Sequence, residues 1–128
     1  MKILTLGARL ILGLVFLIFG LNHIYTFLHM PMPTGDAGAM GTLMFVHGWF
    51  RVYGAAEAAC GLLLIGGRFV PLALTILAPI LVNILLFHVL IMHGGGWMGL
   101  FATVLLLFLI WVYRLSFRGL LDAAPEVS

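Results

Sequence analysis

Four apolar stretches, parted by three short breaks, set the pattern of this chain: about 4–28, 43–66, 72–93 and 97–117. Each is long enough to read as a membrane-spanning helix, which takes about 20 residues. In the first, Gly13 and Gly20 recur one heptad apart and share a face with Phe16 and His23. Small residues there let a neighbouring helix approach closely. The second carries Arg51 and Glu57 in its interior, with Gly54, Ala58 and Gly61 forming a narrow face beside Glu57. A charge at the centre of a span costs about 2.5–3.5 kcal/mol on insertion scales. Both side chains are therefore expected to face protein or water, with the other three helices shielding this one.

The third stretch contains Pro79, which frees the carbonyl of Thr75, and Asn83 lies one turn on. In lipid a freed carbonyl needs another partner, so this face is expected to be buried against protein. The fourth stretch is almost wholly apolar until Trp111 and Tyr113, an aromatic belt followed by Arg114 and Arg118. Of the breaks, Met30 to Gly41 is rich in Pro and Gly and predicts a non-helical connection. Gly67 to Pro71 and His93 to Trp97 predict tight turns.

Charge then orients the pattern. With four spans, Lys2, Arg9, Arg68, Arg114 and Arg118 share one side, and the other two breaks hold no Lys or Arg. The positive-inside rule places both termini in the cytoplasm. Ala37-Gly38-Ala39 resembles a signal-peptide cleavage site. The first apolar run, however, exceeds the roughly 7–15 residues of a signal core, which predicts a retained helix. Asn22 with His29 and Asn83 with His88 and His93 form a faint internal echo.

Composition names the class. The 128 residues are 64% hydrophobic and only 8% charged, with a mean hydropathy of +1.25, against about 25% charged in a soluble domain. The expectation is an all-α integral membrane protein, one domain over 1–128, folded as a compact bundle of four transmembrane helices. Its partner is the lipid bilayer, and homo-oligomers are open. The net charge of +2 needs no nucleic acid to explain it. The single Cys60 excludes an intrachain disulfide and reads as a small packing residue.

Two polar layers hold the candidate chemistry. Glu57 and Asn83 fall near the bilayer centre; Asn22, His23, His47, Arg51 and His88 lie nearer the outer face, with His29 and His93 also in the outer half. His47 and Arg51 are four apart and are expected on one helix face. Glu57 has three readings: an un-ionised acid bonded to a neighbouring helix, a partner for Arg51 six residues away, or a proton- or substrate-handling group in a cavity. Imidazoles suit Zn, Cu and Fe, yet HxxxH and HExxH spacings are absent, so no metal ligand is assigned. His23 or His47 with His88 has the facing arrangement a bis-histidine haem needs. A quinone head group needs a hydrogen-bond donor, an aromatic wall and access from lipid, and His88, Phe87, Trp49 and Tyr53 meet that. Met30, Met32, Met40 and Met44 read as apolar filler, with thioether binding of copper as the alternative.

The run Arg9 to His23, the run Gly48-Trp-Phe through Glu57 to Gly61-Leu-Leu-Leu, and the run Arg68 to His88 with Ala78-Pro-Ile-Leu-Val-Asn resemble the DoxX family of small bacterial membrane proteins. The matching positions are Arg9, Gly13, Gly20, Asn22, Glu57, Gly61, Pro79, Asn83 and His88; Arg51 departs from the apolar or aromatic residue expected there. The resemblance reaches Arg118, though the fourth stretch matches only in hydrophobicity. It implies a four-helix protein of the bacterial inner membrane, associated with quinone-linked oxidation and with partner oxidoreductase subunits. On that expectation Glu57 and His88 are the catalytic candidates. Asn22, His23, His47, Arg51, Tyr53 and Asn83 are the ligand-binding ones. A non-catalytic membrane scaffold and a small-solute transporter stay open beside it.

Overall fold

The computed structural model describes all 128 residues, and it is all-helical. Five α-helices follow in order: α1 (Lys2–Tyr25), α2 (Gly35–Val46), α3 (Trp49–Gly66), α4 (Val70–Leu86) and α5 (Trp97–Val112). A π-helical turn, Phe87–Met92, continues α4, and a 3-10 segment, Arg114–Leu121, follows α5. Helices α1, α3, α4 and α5 form a closed ring in which α1 packs on α3 and α5, and α4 packs on α3 and α5. Helix α2 lies against α3 and the π turn. Leu12, Leu64, Leu74, Leu77, Leu81 and Leu109 are fully buried at the centre of the ring.

The closest pair is α1 with α3, and they run antiparallel. Gly13 meets Gly61 and Ile65, whereas Gly20 meets Gly54, Glu57 and Ala58. A Cβ on Gly20 would fall 2.6 Å from the Ala58 nitrogen, and one on Gly61 would fall 2.6 Å from the Gly13 oxygen. Backbone-to-backbone approach of this kind excludes any side chain, and it is the packing expected of small-residue faces in membranes. The glycine faces read from the sequence are the ones that meet in the fold.

Two helices are long and apolar enough to cross a bilayer: α1 and the continuous stretch Val70–Met92. A third candidate joins α5 to Arg114–Leu121, but the axis turns by 82° between them. The predicted straight fourth helix to residue 117 therefore stops at Val112. There Arg114 donates to the Trp111 carbonyl at 2.8 Å and sits 4.9 Å from the Trp111 ring.

Several boundaries differ from those predicted. The second stretch is two helices, because Gly48 takes φ 76° and breaks the chain after His47. Its 18-residue remainder, α3, measures about 27 Å at 1.5 Å per residue, just under a hydrocarbon core of about 30 Å. The connection expected to be irregular is helical from Gly35 onward. Pro31 and Pro33, the two prolines of this connection, both lie before it, and Asp36 in its first turn complements the helix dipole. Helix α1 ends at Tyr25 and not near Leu28, with Thr26 left-handed behind it. Asn22 closes that end: its side-chain oxygen accepts the Leu28 N–H at 2.7 Å, and its carbonyl accepts the Thr26 N–H.

Candidate functional site: a buried histidine–carboxylate pair

Glu57 stands at the middle of α3 on the face that meets α1, and only 1% of its side chain is exposed. Across the interface, His23 Nδ1 lies 3.1 Å from Glu57 Oε2. The two glycines that bring the backbones together each precede the polar residue by three, Gly20 before His23 and Gly54 before Glu57. One helical step therefore carries both side chains from the point of closest approach to a meeting point. The His23 ring stacks flat on Phe50, 5.0 Å between centroids and 6° between planes. Its side chain remains 27% exposed, so the pair has one end in the core and one at the surface.

The hydrogen bond occupies one carboxyl oxygen. The other, Glu57 Oε1, is the only buried side-chain polar atom without a partner. An unmet buried acceptor costs about 1–3 kcal/mol, and such atoms call for an explanation beyond packing. Tyr53, one turn before Glu57 on α3, is partly buried beside the carboxyl and next to Asn83 of α4. Asn83 of α4, Tyr53 and Glu57 of α3 and His23 of α1 follow in this order across the three helices, and Tyr53 makes no hydrogen bond to Glu57.

The structure corrects several expectations for individual residues. Glu57 does face a neighbouring helix, but its partner is His23 and not Arg51. Arg51 is exposed in the first turn of α3, so it needs no shield: the break at Gly48 puts it at a helix end and not mid-span. His47, exposed, caps α2 and belongs to a different helix from Arg51, which removes their shared face. Asn22 is buried and committed to the backbone of the α1 terminus. Asn83 does not face inward. It is exposed with Thr75 and Pro79 along one side of α4, its amide nitrogen donating to the Pro79 carbonyl at 3.2 Å. That face of α4 is uncovered, and the Asn22–Asn83 echo ends at the sequence.

His88 sits in the π turn. Its Nδ1 donates to the Ile84 carbonyl at 2.8 Å, which leaves Nε2 as the free ring nitrogen. Gly95 and Gly96, both at positive φ, fold over the ring; a Cβ on Gly96 would lie 3.0 Å from it. His88, His93, Leu85, Val89, Trp97 and Leu100 line an open groove of about 480 Å³ there. π turns occur disproportionately at functional sites. No three His, Cys, Asp or Glu side chains converge as a metal cluster.

Sequence reasoning missed Phe50 as the platform for His23 and Arg9 as a structural anchor. Arg9 Nε donates to the Leu64 carbonyl at 3.0 Å, closing the C-terminal end of α3. An Arg on the face of α1 that turns toward a helix end was the available signal. No family model matches the chain, and no curated protein or solved structure is significantly similar to it.

Proposed function

We propose that this chain is a four-span protein of the bacterial inner membrane, DoxX-like, serving as a subunit of a quinone-linked redox system. The observation that carries the reading is the buried Glu57 with one open oxygen, bonded to a histidine that reaches the surface. Oxidation of a small anionic substrate yields two electrons, which pass through a partner oxidoreductase subunit to a quinone. Reducing the quinone to a quinol takes up those two electrons and two protons. Each proton in turn enters from water at His23 and is delivered through Glu57 and Tyr53 to the quinone oxygens.

The exposed Asn83 fits this role. Polar atoms on a lipid-facing helix side need a partner that arrives through lipid, and a quinone head group supplies both acceptor and donor. Asn83 and Tyr53 hydrogen-bond it at the α3–α4 edge, and His88 lies one turn further along the same continuous helix. Arg51, exposed at the helix end, attracts an anionic oxidisable substrate. Helix α3 is the fourth span, carried through the bilayer by its packing on α1 and α4.

The scaffold reading instead predicts that changes at Gly13, Gly20 or Gly61, which pack α1 against α3, matter while changes at Glu57 and His88 do not. The test has two arms. Quinone extracted per mole of purified protein should be near stoichiometric and should drop with Asn83→Leu. Quinone-dependent electron transfer in membranes should fall at least about 100-fold with Glu57→Gln, the scale of a lost acid–base group. Unchanged quinone content and unchanged turnover together would return the chain to the scaffold or transporter class.

A further inference from the structure

The opposite end of the bundle holds a second groove with a different chemistry. It measures about 400 Å³ and opens between the start of α1 and the end of α5, lined by Lys2, Thr5, Leu6, Arg9, Val112 and Tyr113. The side chains of Lys2 and Arg9 face it, with Met1 beside them, and no carboxylate does. The only ion pair in the molecule is His23–Glu57, at the far side of the α1–α3 interface. Arg9 spends Nε on the Leu64 carbonyl, which holds its guanidinium in place against Gly67, yet its two terminal nitrogens have no acceptor within the protein. Lys2 is exposed and unpaired.

The walls decide what kind of anion suits it. Leu6 and Val112 give the groove an apolar floor, and Tyr113 and Trp111 mark an interfacial belt beside it. The groove sits at the helix ends that carry Lys2, Arg9, Arg68, Arg114 and Arg118, five of the six Lys and Arg residues. Next to it the 3-10 segment turns by 82° off α5, with Phe117 packed on the core. A soluble anion would find the cations but gain nothing from Leu6 and Val112. A phosphodiester carrying acyl chains uses both, and basic pockets between membrane helices on the cytoplasmic side take such head groups.

We infer that the Lys2–Arg9 groove between α1 and α5 binds the phosphate of an anionic phospholipid. The site is independent of the His23–Glu57 pair and of any redox role.

The experiment is thermal unfolding of the whole chain in phosphatidylcholine–detergent micelles, titrated with phosphatidylglycerol. The melting temperature should rise with phosphatidylglycerol and not with more phosphatidylcholine. Lys2→Gln, which removes no internal bond, should keep the basal melting temperature and weaken half-saturation about fivefold, the effect of one surface cation on an anionic lipid. Arg118→Gln, outside the groove, should weaken it less than twofold. Arg9→Gln should weaken it at least as much as Lys2→Gln, at a lower basal melting temperature. Equal effects of Lys2→Gln and Arg118→Gln would mean diffuse attraction and would overturn the site. An equal rise with inorganic phosphate alone would overturn the lipid assignment, and so would equal rises with the two lipids.

Discussion

His23 Nδ1 and Glu57 Oε2, 34 residues apart in sequence on antiparallel helices, stand 3.1 Å from one another beside the close backbone approach of Gly20 and Gly54. One end of the pair is buried in the core and the other reaches the surface. The two residues are not equivalent in what their loss leaves behind. Removing His23 strands a fully buried carboxyl with both oxygens unmet, whereas removing the carboxyl leaves an imidazole that water can reach. His23→Ala should cost about 1–3 kcal/mol of stability, and Glu57→Gln, which keeps one hydrogen bond, should cost less. Denaturant titration in detergent ranks the two; a larger loss for Glu57→Gln would contradict the pairing.

The α1–α3 contact has no room for a methyl group. Gly20→Ala would press a Cβ against the Ala58 nitrogen and the Gly54 oxygen, which are backbone and cannot swing away. The expected loss is about 1–3 kcal/mol, as for overpacking elsewhere. Gly7→Ala serves as the control: it lies on the same helix with nothing within 4 Å of the added carbon, and it should be neutral or slightly stabilising. Equal melting temperatures for the two variants would argue against the close approach.

Asn22 ties α1 to the chain that follows it. With Asn22→Ala the Leu28 N–H loses its acceptor, and the turn from Thr26 to Leu28 should open. Amide exchange at Leu28 should speed up at least about fivefold, in line with a hydrogen bond of about 1 kcal/mol. Exchange in the middle of α1 should not change.

Arg9 closes the end of α3 through a single donor. Arg9→Lys keeps the charge but has no Nε to offer the Leu64 carbonyl, so it should lose about 1 kcal/mol, close to the loss in Arg9→Gln. If Arg9→Lys matches the wild type in thermal unfolding, charge at the helix end and not the bond is what matters.

The proposed four-span topology is tested by labelling. In a Cys60→Ala background, single cysteines replacing Arg68 and Arg118 should react with an impermeant reagent from the cytoplasmic side. One replacing Gly94 should react from the other. Labelling of the Arg68 and Gly94 positions from the same side would reduce the number of spans.

Much of this was legible in one dimension. Period and spacing along single helices are local properties, and so the membrane class, the helical content, the Gly13–Gly20 and Gly54–Gly61 faces and the direction of Glu57 could all be read from the order of residues. Only the tertiary structure decided who partners whom. The partner of Glu57 depends on the register of α1 against α3, which backbone contact at the glycines sets and no single-helix pattern contains. The depth of Arg51 depended on one backbone angle at Gly48, which moved it from a predicted helix interior to a helix end. The outward side of Thr75, Pro79 and Asn83 depended on how four helices close into a ring. Hydrophobicity determines that these segments leave water together, and packing determines which of their few polar atoms then meet.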